Sequence, residues 1–265
     1  MHHKALIMEA DALRTNDPYW TRPTLHCRII DMEAQVAVAK IGKYATSESG
    51  DSLEMIERPG GGLSIVLVDG QRSGKPAKRI SNVVTRKAIS LLGEGVRDGA
   101  TARAASDYLY TYRAGKVMAT MNILSIDLMS RTFVITRNNP APVILVKDSK
   151  IELLDEPSDP VGTRQGTRPS IQEIPIELNM AVVIFTDGLT HAGSRAGKHM
   201  DIPAFVSSLA RDSDFDPHAW ADDLLEHAIS LDDGRPCDDI SVLVAAILPR
   251  KDDDVRRLTA RMPIR

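Results

Sequence analysis

The order of apolar patterns along the chain predicts an α+β fold, two sheets with helices packed outside them. Three observations predict it. Short Val- and Ile-rich stretches come in runs, and two pairs of segments with helical spacing interrupt those runs. Strands and helices therefore do not alternate one by one, which argues against a doubly wound parallel sheet. No shift in composition marks a linker, and no internal repeat is visible.

Each element has its own warrant. "RIIDMEAQVAVAKIGKYA" mixes alternating and continuous apolar stretches and reads as a strand. "SESGDSLEMIERPGGG" is punctuated by Gly and Pro, so it reads as loop beside a short strand, and "LSIVLVDG" as a strand closed by Asp-Gly. From Pro76, "PAKRISNVVTRKAISLLGEGVRDG" places Ile80, Val83, Val84, Leu91 and Leu92 near helical spacing. Pro76 suits the first turn, and Gly93 or Gly95 the stop. "ATARAASDYLYTYRAG" reads as a second helix. Strands return in "VMATMNILSIDL", "TFVITRN", "PVILVKD" and "KIELLDE". "EPSDPVGTRQGTRPS" is a long loop, followed by the strands "IQEIPIEL" and "AVVIFTDG". Helices are expected near "DIPAFVSSLARD" and in "PHAWADDLLEHAISL", then a last strand, "ISVLVAAIL", and a charged tail.

The 265 residues suffice for one large core or two small ones. A net charge of −3 gives no overall attraction to nucleic acid or an anionic membrane. Cys27 and Cys237 are the only cysteines and are far apart, which points to reduced thiols and not to a zinc site or disulfide framework. No apolar run approaches the roughly 20 residues needed to span a bilayer, and the start of the chain lacks a signal-type apolar segment. A cytoplasmic location is expected. His2 and His3 are read as part of an unstructured start, and Trp20 and Trp220 as packing residues.

Aspartates flank strands at four places. Asp51 lies in "ESGDSLE", Asp69 follows "LSIVLV", Asp187 follows "VVIF", and Asp238 and Asp239 precede "ISVLVAAIL". Singly, each is a common turn or loop residue. Together they are costly to gather unless a cation sits among them. Hard divalent ions such as Mg²⁺ and Mn²⁺ take oxygen ligands, and strand ends hold such ligands in place. A glycine after the acid lets the backbone approach closely.

The ordered segments "SGD", "VDGQRSG", "RNNPAP", "DPVGT", "IFTDGLTHAG" and "CDDISVLV" resemble the sporulation stage II E branch of the PPM-type metal-dependent serine/threonine protein phosphatases. The resemblance covers Arg28 to Leu248. It divides the chain into an N-terminal extension (1–27), a phosphatase domain (28–249) and a charged C-terminal tail (250–265). It implies a β-sandwich of two antiparallel sheets flanked by α-helices, with two Mn²⁺ or Mg²⁺ ions at one edge. Asp69 matches the acid that bridges both metals, and Gly70 the glycine whose carbonyl completes one site. Asp187 and Asp238 match ligands of the second metal, and Asp51 an acid that approaches the metals, often through water. Asp51, Asp69, Asp187 and Asp238 are thus the expected catalytic acids. Asp239 is secondary.

Three segments depart from the pattern: "DGQRSG" replaces a "DVSGHG"-like segment, "NNPAP" a "NAGHPP"-like turn, and His191 stands where an acid is frequent.

The resemblance implies hydrolysis of phosphoserine or phosphothreonine by a metal-activated water. Neither cysteine lies in a phosphate-cradling motif, and "DGQRSGKPAKRIS" lacks the spacing of an ATP-binding loop. Lys40, Lys43, Arg72 and Lys75 lie near the acids and are read either as solvated cations or as phosphate contacts. His191 is read either as a loop histidine or as the proton donor to the leaving oxygen. With no sensor segment on either side, the chain resembles stand-alone members such as the small phosphatase that resets the stressosome. A phosphorylated STAS-type regulator in bacterial partner switching is the implied substrate, with neither nucleic acid nor membrane as partner. Two alternatives are a non-catalytic phosphoprotein-binding module on the same fold and a hydrolase of a small phosphoester. An open cleft favours a protein substrate, a closed pocket a small one.

Overall fold

The computed structural model describes residues 31–211, 215–250 and 254–263. Cys27, Trp20, His2, His3 and the whole proposed N-terminal extension (1–27) lie outside the described residues. The chain runs β1 (Met32–Ile41), β2 (Ser52–Glu57), β3 (Gly62–Gly70), α1 (Gly74–Gly93), α2 (Asp98–Arg113), β4 (Ala119–Asp127), β5 (Thr132–Asn138), β6 (Val143–Lys147) and β7 (Lys150–Leu154). It continues β8 (Ser170–Pro175), β9 (Met180–Phe185), α3 (Asp187–His191), α4 (Ile202–Leu209), α5 (Pro217–Leu231) and β10 (Ile240–Pro249). A short 3-10 turn, Ser194–Ala196, separates α3 from α4.

The strands form two five-stranded sheets, ordered β1-β10-β9-β6-β7 and β2-β3-β4-β5-β8. Every strand pairing is antiparallel. The sheets face each other through Ile65, Leu67, Leu124, Phe133, Leu145, Val182, Ile184 and Leu243. Their outer faces are covered as well. Val66, Val68, Met121 and Ile123 pack on α1 and α2, while Val183, Val242, Val244 and Ala246 pack with Trp220 and Leu224 of α5. Successive residues of one strand point to opposite faces, so strands buried on both faces read as unbroken apolar runs such as "VVIF". The sandwich of two antiparallel sheets between helical layers is the expected architecture.

The structure adds the short helix α3 and shifts element boundaries. The sequence reads Asp187-Gly188 as the end of a strand. In the structure β9 stops at Phe185, and Asp187 opens the short helix α3. Helix α1 begins two residues before Pro76, because Gly74 takes a positive φ of 67° and turns the chain into the helix. Residues 254–263 of the charged tail have no helix or strand.

Candidate metal centre

Strand register brings the four acids to one edge of the sandwich. In the second sheet Ser52 pairs with Val68, so Asp51 at the start of β2 lies beside Asp69 at the end of β3. In the first sheet Phe185 pairs with Val242, which sets the end of β9 beside the start of β10. Asp187 and Asp238 follow and precede those positions. Asp69 experiences the charges of Asp51, Asp187 and Asp238, so acids from both sheets meet.

The segment Gly50-Asp51 is held at every polar point but one. Gly50 N–H donates to Asp239 Oδ2 at 2.8 Å, and the Gly50 carbonyl accepts from Ser81 Oγ at 2.5 Å. The Asp51 carbonyl accepts from Lys40 Nζ at 2.7 Å and Lys78 Nζ at 2.6 Å. Asp51 Oδ2 accepts from Ser241 Oγ at 2.6 Å and Thr186 Oγ1 at 3.0 Å. Asp51 is fully buried, yet its Oδ1 has no partner. A buried carboxylate oxygen without a donor costs free energy unless a cation meets it.

The electrostatics agree with a site built for cations. Burial, then the neighbouring acids, push Asp69 up to about 10. Burial pushes Asp51 up to about 6 against the lowering effect of its hydroxyl donors and Lys40. Burial likewise raises Asp238, with Asp187 contributing. Lys40 is an exposed residue, but its ammonium group is withdrawn from water where it meets Asp51, and this, with the charge of Lys78, lowers its pKa. Five acids, Asp239 included, face the ammonium groups of Lys40, Lys43 and Lys78, so the cluster keeps a negative surplus. Among the described residues no three His, Cys, Asp or Glu side chains already close into a cage. An open, all-oxygen cluster suits Mg²⁺ or Mn²⁺, of which Mg²⁺ in particular keeps several waters and takes few carboxylates.

The glycines beside the acids are required by close packing. A Cβ on Gly70 would lie 2.1 Å from the Ala77 carbonyl oxygen of α1, and one on Gly188 would lie 2.0 Å from that of Asp239. These contacts press α1 against β3 and α3 against the start of β10.

Sequence reasoning placed the acids but missed what orients them. Thr186 and Ser241, the Thr of "TDG" and the Ser of "DDIS", hold Asp51. Lys78, three residues before Ser81 on α1, was not singled out; its proximity to "VDG" was the available signal. Asp239 is a clamp, accepting from Gly50 N–H and from Lys43 N–H at 2.9 Å. Of the four basic residues considered, Lys40 reaches the site by its ammonium group and Lys43 by its backbone as well as its charge. His191 is exposed, its Nδ1 3.9 Å from Asp187 Oδ2 one turn earlier. Trp220 is buried against Phe215, as expected of a packing residue.

Residues 59–248 match the family described as Stage II sporulation protein E (SpoIIE). The chain belongs to the SpoIIE family. Its fold is similar to the PP2C phosphatase domain and regulatory-domain fragment of SpoIIE from Bacillus subtilis, with a TM-score of 0.73 and 18% identity over 83% of this chain. The chain spans 65% of that SpoIIE structure. The RsbU and RsbW domains of Rv1364c from Mycobacterium tuberculosis align with a TM-score of 0.67 and 20% identity, over 83% of this chain and 62% of that one. The catalytic domain of the serine/threonine phosphatase PstP, in complex with two manganese ions, aligns with a TM-score of 0.62 and 14% identity, over 82% of this chain and 100% of that one. A sequence search among curated proteins finds no match. These likenesses establish the two-sheet phosphatase fold, and among the described residues no helix is long and apolar enough to cross a membrane.

Proposed function

We propose that this SpoIIE-family chain is a metal-dependent protein serine/threonine phosphatase acting on a phosphorylated regulatory protein. The observation that carries this reading is the convergence of acids from both sheets around the buried, unpartnered Asp51 Oδ1. A relative with two manganese ions on the same fold supports a two-ion, Mn²⁺ or Mg²⁺ site.

Asp69, the Gly70 carbonyl, Asp187 and Asp238 would hold the ions. Asp51, held in position by Thr186 and Ser241, would add its unpartnered Oδ1. Bound there, two divalent ions would supply an activated water and neutralise the charge building on the phosphoryl oxygens. Lys40 and Lys78 stay fixed on the Asp51 carbonyl, where they offset part of the carboxylate charge. His191, exposed on α3 with its Nδ1 3.9 Å from Asp187 Oδ2, is the side chain we assign to pass a proton to the leaving oxygen.

A macromolecular substrate is favoured because the site is open. The Asp187 side chain is 45% exposed. A STAS-type regulator in a partner-switching pathway is the specific substrate proposed, by analogy with stand-alone phosphatases of the same branch.

Turnover of an aryl phosphate tests the reading. Wild type with Mn²⁺ is expected to be active; chelator, Asp69→Asn and Asp187→Asn each abolish turnover. Activity that survives chelation or both substitutions overturns the metal mechanism. Inactivity of the wild type on both aryl phosphate and phosphoprotein favours a binding module instead.

A further inference from the structure

Helix α1 carries Lys75, Lys78, Arg79, Arg86 and Lys87 and no acidic residue, in a chain whose net charge is −3. Among the described residues none of these five cations forms a salt bridge with a carboxylate. An unbalanced row of charge on one helix marks a surface that meets anions.

The row borders a groove. Between α1 and α2 lies a cavity of about 350 Å³ whose walls include Arg79, Arg86, Arg113 and Tyr112, over the apolar Ile80, Val83 and Leu109. Arg79 and Arg86 are exposed and two helical turns apart, about 10 Å along the axis. At the rim, Tyr112 is 59% exposed and stacks on Tyr108, with the Arg113 guanidinium over its ring. An apolar floor under guanidinium walls fits a peptide with acidic and apolar side chains. It is too small for a nucleic-acid duplex, and the negative charge of the whole chain opposes a polyanion.

The groove and the metal centre share helix α1. Arg79 follows Lys78, whose ammonium group sits on the Asp51 carbonyl, and α1 starts four residues after Gly70. We propose that this groove seats an acidic segment of the phosphoprotein substrate while its phosphorylated residue reaches the acids, an assignment that rests on the phosphatase reading above. Arg79 and Arg86 then set which phosphoproteins are accepted, without touching the reacting phosphate.

Fluorescence anisotropy on the full chain tests this with a labelled, non-phosphorylated peptide rich in Asp, Glu and Leu. The controls are its Asn/Gln counterpart and a single-stranded oligonucleotide of equal charge. The acidic peptide is expected to bind best and to weaken with salt. The double variant Arg79→Glu/Arg86→Glu is expected to lose about tenfold or more in affinity, as reversal of two facing charges does. The milder Arg79→Gln/Arg86→Gln pair is expected to lose less, and it serves as the test should the reversed pair fold poorly. Mn²⁺-dependent turnover of an aryl phosphate, which has no segment to dock, is expected to stay at the wild-type rate in both variants. Equal peptide affinity in wild type and variants overturns the groove, as does tighter binding of the oligonucleotide or a parallel loss of aryl-phosphate turnover. Absence of wild-type turnover on both aryl phosphate and phosphoprotein overturns the phosphatase reading instead, independently of the peptide affinities.

Discussion

Ser241 Oγ donates to Asp51 Oδ2 at 2.6 Å, joining the start of β10 in one sheet to the start of β2 in the other. The bond crosses between the two sheets where the acids gather, and Thr186 Oγ1 reinforces it from the end of β9. Ser241→Ala leaves a buried carboxylate with one donor fewer. The loss of a hydrogen bond to a charged group costs about 1.5–3 kcal/mol. Because Ser241 orients a proposed ligand, Mn²⁺ affinity is expected to fall about 10–100-fold. Calorimetric titration of Mn²⁺ into wild type and variant measures this, and equal affinities would remove the orienting role.

Stability of the metal-free protein is expected to fall as pH rises from 5 to 9. Asp69 is held near 10 and Asp51 near 6 in the folded state, against an ordinary value of 3.8. The native state therefore binds more protons than the unfolded state above pH 4, and raising the pH favours unfolding. Asp51 contributes up to about pH 6 and Asp69 throughout the range. Each group contributes at most about 1.4 kcal/mol per pH unit. Thermal melts in chelator show whether Tm declines. Mn²⁺ is expected to flatten the curve and to release protons on binding, so a Tm indifferent to pH in chelator contradicts the crowding of these acids.

Gly70→Ala is expected to destabilise by about 1–3 kcal/mol, the usual range for forcing extra volume into a packed site. Its Cβ would fall 2.1 Å from the Ala77 carbonyl oxygen, so α1 must move away from β3. Urea denaturation gives the loss of stability. The same variant is expected to respond less to Mn²⁺, since the displacement begins one residue from Asp69.

Asp239→Ala removes the acceptor of two backbone N–H groups, on Lys43 and Gly50. Leaving buried donors unsatisfied costs about 1–3 kcal/mol each. The loop between β1 and β2 is expected to exchange its amide hydrogens faster while the strand cores remain protected. Unchanged exchange in residues 42–50 would show that the clamp does not order the loop.

The strands buried on both faces were visible as apolar runs, and α1 and α5 as helical spacing. The start of α3 was not visible. Asp-Gly after a strand has the same local signature whether the chain turns or enters a helix, and the close approach of Gly188 to Asp239 decides between them. Likewise Asp238 and Asp239 are neighbours of the same type. Only the backbone N–H groups around Asp239 separate a clamp from a proposed ligand.

By itself the sequence determined the layers, the two-sheet class and the identity of the strand-end acids, because periodicity and residue type are local properties written along the chain. Tertiary structure alone decided that Asp51 is the buried acid with one free oxygen, that Thr186, Ser241, Lys40 and Lys78 hold it, and that the cations of α1 border a groove. These depend on which strand ends meet across the sandwich. A hydrogen bond joining residues 190 positions apart leaves no trace in local spacing.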